Sequence, residues 1–356
     1  MTAYGQANLR RIDCTLLYRP EPARAFRRIA HAIMANRPPA CATARAVARA
    51  LFPEYVMSAT PPLSDVGRPD GASQAGEALH GLSGPVRDPD FFQLPARPQL
   101  DLSLIDAVLT GQLAGCFFKQ IVDHQVSQQV ARNFWAHPHL QTRNDDVPAW
   151  VLGTYHYGRP LGTYLDLAQG VRQSLRDVFA GSRDVFHEVM GALGAHLQAR
   201  GVTLRVARHG DREASPFVMR SWRGAGTFAL EPHDDGAQLR QQAQAGFEIQ
   251  AITEAPVVAM NICLENDGDG QLHYWNVEPN EADRRAFGVE ETGYPYPLRA
   301  LDGVPKLVVP VERGDVYFFN GRFVHAVQAL GTGHGYRSTI SCLLGFRDPE
   351  TVIYWA

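Results

Sequence analysis

Residues 306–346 read KLVVPVERGDVYFFNGRFVHAVQALGTGHGYRSTISCLLGF. Four runs rich in Val, Phe, Tyr, Ile and Thr (306–311, 315–319, 322–330 and 336–346) are separated by turn residues, with Arg313-Gly314-Asp315 as a tight turn between the first two. Such short β-rich runs bounded by Gly, Pro and Asp read as strands. The same texture extends toward the N-terminus through QLHYWNV (271–277), PVVAMNICLEN (256–266), FEIQAITE (247–254), GTFALE (226–231) and FVMRSW (217–222). Many short strands at regular intervals predict an antiparallel sandwich or barrel, not βαβ units.

Upstream of residue 201 the period changes. SLIDAVLTGQLAGCFFKQIV (103–122) and SLRDVFAGSRDVFHEVMGALGAHLQARG (174–201) carry helical spacing, and Gly201 is a helix stop. Residues 22–52 are helical in spacing on both sides of Pro38-Pro39, while 58–100 are rich in Pro, Gly, Ser and Asp without a period. The expected architecture is α+β. A double-stranded β-helix (jelly-roll) core occupies 201–356, with flanking helices from 101–200. Residues 1–100 form a helical N-terminal extension with a Pro/Gly-rich linker.

Composition narrows the function. The 356 residues contain 34 Lys+Arg against 37 Asp+Glu, a net charge of −3, so the concentrated basic face that nucleic acid requires is not expected. Hydrophobic residues at 45% and charged residues at 20% indicate a globular chain. No window reaches about 18 consecutive apolar residues, which argues against a membrane span. Cys14, Cys41, Cys116, Cys263 and Cys342 are widely spaced without a CxxC, so neither a disulfide framework nor a zinc ribbon is expected. The polar start MTAYGQANLRR lacks a signal-peptide core, and the Arg- and Ala-rich stretch 8–52 reads as an amphipathic helix; the expected location is the cytoplasm.

Thirteen histidines leave room for a metal site. His-x-Asp occurs twice, at His209-Gly210-Asp211 and His233-Asp234-Asp235. The first lies in a polar stretch with no strand running into it. The second follows the strand GTFALE, and in extended backbone residues i and i+2 share a face, so His233 and Asp235 can converge on one ion. A catalytic metal needs a third ligand. His325 sits within RFVHAVQAL on an apolar face with Phe323 and Val327, a setting that equally suits a packed core histidine. The next strand separates a polar face, Arg337, Thr339 and Ser341, from Ser338, Ile340, Cys342 and Leu344. An Arg buried there needs an anion, either a protein carboxylate or the carboxylate of a ligand.

A His-x-Asp after an early strand, a distal His on a late strand and an Arg-x-Thr beyond it resemble the Fe(II)/2-oxoglutarate-dependent oxygenase superfamily over about residues 215–346. The resemblance implies that His233, Asp235 and His325 bind Fe(II), and that Arg337 with Thr339 clamps the distal carboxylate of 2-oxoglutarate. It also implies that 2-oxoglutarate and O2 are cosubstrates, yielding succinate and CO2. Residues 101–356 would then be the oxygenase domain. The long interval between His233 and His325 implies an insertion, for which 279–303 is the candidate and a lid the expected form. Related halogenases carry a small residue where Asp235 stands, so hydroxylation is expected instead.

The expected reaction is hydroxylation of an unactivated C–H of a small polar metabolite, an amino acid or a derivative. Arg220 and Trp222, which alternate onto one face, and Asn261 are the candidate substrate contacts. GTYHYGRPLGTY (153–164), aromatic and cationic, is expected to pack against the barrel, with one wall of the pocket as its other reading; His137-x-His139 is expected to lie in a solvated loop, and His273 to be a core residue. The expected partner is a small molecule, with no nucleic acid or membrane; the oligomeric state is not encoded in any feature above. Two other readings remain open at this level. One is a cupin-type metal dioxygenase in which Arg337 pairs with a protein carboxylate; the other is a non-catalytic jelly-roll binding protein.

Overall fold

The computed structural model describes residues 81–143, 149–223, 226–331 and 335–356. The predicted helices of 22–52 and the first part of the predicted linker lie outside the described residues.

Strand β1 (Ala96–Arg97) precedes helix α1 (Leu102–Leu109), which starts at Asp101, whose side chain accepts from the Ser103 N–H. The helix does not run on to residue 122 as its spacing predicted. It stops at Thr110, and Gly111 follows at φ +71°. The apolar GCFF becomes β2 (Gly115–Phe118), every residue buried. A run apolar on both sides suits a strand covered on both faces, and periodicity alone does not separate that case from a buried helix. Helix α2 (His124–Ala136), β3 (Gln141–Arg143) and β4 (Ala149–Leu152) come next. Helix α3 (Leu161–Asp177) ends before Gly181 at φ +68°, and α4 (Val185–Gln198) starts at its cap Asp184 and is closed by Gly201 at φ +77°.

The second half is mostly strand: β5 (Thr203–Val206), the small hairpin of β6 (Arg208–His209) and β7 (Arg212–Glu213), β8 (Val218–Trp222), β9 (Phe228–His233), β10 (Val258–Asn266) and β11 (Leu272–Trp275). After helix α5 (Glu281–Phe287) come β12 (Lys306–Val309), β13 (Val316–Asn320), β14 (His325–Gln328), β15 (Arg337–Asp348) and β16 (Thr351–Trp355). FEIQAITE is a departure from the predicted strands: Glu248–Ala251 is a 3-10 turn. Phe247, Ile249 and Ile252 instead fill a side core with Tyr164 and Trp355.

The architecture is thus mixed α+β. A ten-stranded sheet runs β1-β2-β13-β10-β15-β8-β4-β3, with β16 on β15 and β5 on β16; a four-stranded sheet runs β12-β11-β14-β9. All pairings are antiparallel except β1–β2 and β5–β16. Period 2 sorts the side chains. Met219, Met260, Phe318, Ile340 and Leu344 turn toward the helices and pack with Val108, Val130, Phe186 and Leu193. Each such fully buried side chain contributes about 1.5–3 kcal/mol. The opposite face meets the four-stranded sheet: Phe117, Tyr317 and Phe319 pack with Leu272, Tyr274 and Phe323. The polar residues Arg220, Asn261, Thr339 and Ser341 share that inner face and line a cavity between the sheets.

The segment 279–303 carries α5, opened by a reciprocal cap between Asn280 and Asp283 and closed by Gly288 at φ +66°. Val289, Tyr296 and Leu301 then pack with Trp275, Val324 and Ala326 on the outer side of the four-stranded sheet. Residues 82–87 run alongside: the Leu82 N–H donates to Ala300 O, Ser83 bonds Asp283, and the Arg87 N–H donates to Asn276 Oδ1.

Candidate active site

Strands β9 and β14 are neighbours, and their register sets His325 opposite His233. The two imidazole centroids are 4.1 Å apart. Asp235, two residues past His233 in the turn that leaves β9, completes the group. His325 Nε2 lies 3.5 Å from Asp235 Oδ2, and His233 Nε2 lies 4.0 Å from Oδ1. The three ligand atoms are all within 4.8 Å of one another, and all three residues are buried. Each imidazole uses Nδ1 locally: His233 on Glu231 O at 2.8 Å, His325 on Phe323 O at 2.9 Å. A carbonyl only accepts, so Nδ1 carries the hydrogen and Nε2 presents its lone pair. Burial pushes both histidines down to about 4, leaving them neutral, the form that binds metal; burial also pushes Asp235 up to about 6. Two neutral imidazoles and one carboxylate, with open positions beside them, are the donor set of non-haem Fe(II) oxygenases.

Two residues that no sequence signal singled out hold Asp235. Gln238 Nε2 donates to Oδ1 at 3.0 Å, and the Asp235 N–H donates to Gly321 O at 2.7 Å. The intervening Asp234 points the other way. It is fully buried, accepts from Arg284 Nη2 at 2.9 Å and from the Tyr296 hydroxyl at 2.8 Å, and so ties 279–303 to the turn. The competing His209-Gly210-Asp211 lies on an exposed hairpin, with His209 Nδ1 directed at Gly246 O.

Arg337, only 2% exposed, enters the same cavity from β15. Its Nη2 donates to the Tyr317 hydroxyl at 2.8 Å, while Nε and Nη1 have no partner. No carboxylate among the described residues forms an ion pair with it. A buried, uncompensated guanidinium costs several kcal/mol, so these free N–H groups call for an anion supplied from outside the chain. Beside it Thr339 Oγ1 contacts Ser341 Oγ at 3.1 Å, and Ser341 donates to Asn261 Oδ1 at 2.9 Å. This donor set fits a carboxylate of 2-oxoglutarate as the triad fits Fe(II).

The cavity measures about 280 Å³, near the lower edge of the roughly 300–1,000 Å³ usual for small-molecule pockets. All eight residues named from the sequence line it: His233, Asp235, His325, Arg220, Trp222, Asn261, Arg337 and Thr339. Arg220 also keeps an unpartnered buried Nε, with its guanidinium 5.3 Å from the Trp222 ring centroid. The stretch 153–164 does both things read from it: Leu161 and Tyr164 pack into the side core with Trp355, while Tyr155, His156 and Tyr157 line the cavity wall. Gly153 at φ +103° turns the chain there, a conformation that favours glycine. Tyr294 comes from 279–303. His273 stays outside, bonded to Gln328, and His139 bonds Ser174 near the surface.

No protein-family profile matches the chain. It is 33% identical over 240 residues to L-isoleucine 3(1)-dioxygenase of Pantoea ananatis (strain AJ13355), covering 65% of this chain and 79% of that one. Among solved structures it is similar to the N-substituted L-amino acid dioxygenase of Burkholderia ambifaria AMMD in complex with alpha-KG (13% identity, 72% of this chain and 91% of that chain, TM-score 0.48). It is also similar to the epimerase SnoN in complex with Fe3+, alpha ketoglutarate and nogalamycin RO (14% identity, 68% and 84%, TM-score 0.42). No helix among the described residues is long and apolar enough to cross a membrane. Identical to a dioxygenase at a third of the aligned positions over most of that enzyme's length, the chain belongs to the Fe(II)/2-oxoglutarate-dependent oxygenase superfamily, as a dioxygenase that takes Fe(II) as cofactor and 2-oxoglutarate and O2 as cosubstrates.

Proposed function

We propose that this dioxygenase hydroxylates an aliphatic C–H of a small L-amino acid or close derivative, on a double-stranded β-helix core formed by the two facing sheets. His233, Asp235 and His325 hold Fe(II), and Arg337 with Thr339 holds the distal carboxylate of 2-oxoglutarate. When these are bound with O2, the site supplies oxidative decarboxylation to succinate and CO2 coupled to oxidation of the substrate. The residues of the chain bind and orient. Tyr317 and the Thr339–Ser341–Asn261 chain fix the donors around the diacid, and Phe319, whose ring centroid is 4.8 Å from that of His325, keeps water from one side of the metal position. Asp235 occupies the place a halide would need, which argues against halogenation and favours hydroxylation, with desaturation or ring formation as the other outcomes of the same site. In domain terms 101–356 is the catalytic unit, its main sheet extended by β1 from the preceding residues, and 279–303 a lid that contributes Tyr294 to the cavity wall.

The observation that carries the substrate class is the second guanidinium. Arg220 shares the cavity with Arg337, has an unpaired N–H, and forms no ion pair with a described carboxylate. Two anion sockets in one pocket suit a diacid cosubstrate and a carboxylate-bearing substrate, with Trp222 beside the second. Val218, Leu230, Leu272, Val327 and Leu343 give the remaining wall an aliphatic lining. That the relative named above acts on L-isoleucine supports the same class. The unpaired Arg337 speaks against the cupin-type reading, which needs a protein carboxylate there. The test is succinate release with Fe(II), 2-oxoglutarate and a panel of L-amino acids, led by L-isoleucine. Succinate above the substrate-free rate, abolished in Asp235→Ala, is expected. Release that is independent of the amino acid, or unchanged in Asp235→Ala, overturns the assignment.

A further inference from the structure

We propose that His156 is a specificity-determining residue whose Nε2 accepts a hydrogen bond from the substrate's α-ammonium group; the inference rests on the amino-acid reading above. His156 follows β4, is 2% exposed and lines the cavity. Its tautomer is dictated by Gln244. Gln244 Nε2 donates to His156 O at 2.6 Å and to Arg159 O at 2.9 Å, so the amide oxygen is the atom 3.0 Å from His156 Nδ1. An amide oxygen only accepts; Nδ1 therefore carries the ring hydrogen, and Nε2 of the neutral ring is a bare lone pair. That Nε2 is buried and has no partner. Burial, with Arg159 nearby, pushes the ring down to about 4, so the lone pair is present at any ordinary pH.

The register places His156 along the cavity wall. Strand β15 places Arg337, Thr339, Ser341 and Leu343 in order along the cavity wall, and Leu343 pairs with Trp355 of β16. His156 is joined to the end of β16, its N–H donating to Ala356 O at 3.0 Å. It therefore lies at the end remote from Arg337. Ionised 2-oxoglutarate has no N–H or O–H to offer, so an acceptor there does not serve the cosubstrate. Arg220 and Arg337 can only donate; His156 can only accept. A ligand with a carboxylate and an ammonium on one carbon matches both kinds of group, and one lacking the ammonium leaves Nε2 unsatisfied. The competing role is structural. The Trp355 indole stands edge-on, 6.4 Å between ring centroids, with its own N–H unpartnered, so a buried water could join the two.

The test uses the full chain loaded with Mn(II) and 2-oxoglutarate, titrated calorimetrically with L-isoleucine (or whichever panel amino acid releases most succinate) and with its desamino carboxylic acid. The wild type should bind the amino acid about 10-fold or more tighter than the desamino acid. His156→Leu should erase that preference, weakening the amino acid about 10-fold and the desamino acid less than about 2-fold, with 2-oxoglutarate affinity unchanged. If the Leu variant loses its cooperative melt, His156→Asn gives the same readout, because its shorter amide still meets Gln244 but withdraws the acceptor from the cavity. A wild type without preference for the ammonium, or a variant that weakens both ligands equally, overturns the proposal and leaves the structural role with Trp355. If amino acids bind and turn over but the preference ignores residue 156, only this inference fails. If no amino acid binds or yields succinate, the amino-acid reading fails and takes this inference with it.

Discussion

Gly321 and Asp235 are fitted against each other: the Asp235 N–H donates to Gly321 O at 2.7 Å, and a β-carbon on residue 321 would stand 2.3 Å from Asp235 Oδ2. Glycine is required here by space, because any β-carbon would take the place of the carboxylate that faces the two histidines. Gly321→Ala should push Asp235 aside and weaken Mn(II) binding by about 10-fold or more, the loss usual when a metal ligand's orientation is disturbed. Metal titration of the variant checks this, and unchanged affinity would separate residue 321 from the site.

Arg337→Ala removes donors that have no partner among the described residues. It should raise the apparent KM for 2-oxoglutarate about 10–100-fold, the range of a lost charge-assisted contact, while the KM for the amino acid changes less than about 2-fold. Initial-rate kinetics with each substrate varied in turn decide it. Equal effects on both would place Arg337 outside the cosubstrate socket.

Asp234 and Arg284 form a buried pair, their side chains 0% and 4% exposed, and Tyr296 donates to the same carboxylate. Asp234→Ala leaves a buried guanidinium without its anion and should cost about 3–5 kcal/mol of stability; Tyr296→Phe, which removes one hydrogen bond, should cost about 1 kcal/mol. Urea unfolding measures both. A near-zero cost for Asp234→Ala would show that 279–303 is held without this ion pair.

His156 is neutral in the folded chain down to about pH 4, whereas in the unfolded chain it takes up a proton near its ordinary 6.5. Between these values the unfolded state binds more protons, so stability falls as pH drops from about 6.5 to about 4 and levels off below. His156→Asn should therefore flatten the stability–pH curve in that window by close to one proton. Denaturant melts at pH 7, 5.5 and 4.5 give the slope. An unchanged slope would mean that His156 is charged in the folded state, with Nε2 a donor.

Legibility along the chain followed period and chemistry. β15 was readable because its two faces differ: Arg337, Thr339 and Ser341 against Ile340, Cys342 and Leu344. GCFF shows no contrast between faces, while FEIQAITE alternates like a strand, Phe247, Ile249 and Ala251 against Glu248 and Gln250, yet folds as a tight turn. The first is buried on both sides between β1 and β13, and the second spends its apolar residues on a side core reached only by a tight turn. Gln238, Tyr317 and His156 acquire their roles from neighbours distant in sequence; the local pattern marks the stretches that carry Tyr317 and His156 but not the individual residues.

The order of residues alone determined the alternation of the strands, the choice of His233-Asp234-Asp235 over His209-Gly210-Asp211, and the pairing of a late histidine with an arginine two strands' length beyond, because side-chain direction in extended backbone is a local property. Only the folded chain decided that β9 lies against β14, that Asp235 rests on Gly321, that Arg337 meets no carboxylate among the described residues, and that Gln244 fixes the hydrogen of His156. Those are relations between segments far apart in sequence, set by sheet register and burial, and the free energy of an unpaired polar group exists only once water has been excluded around it.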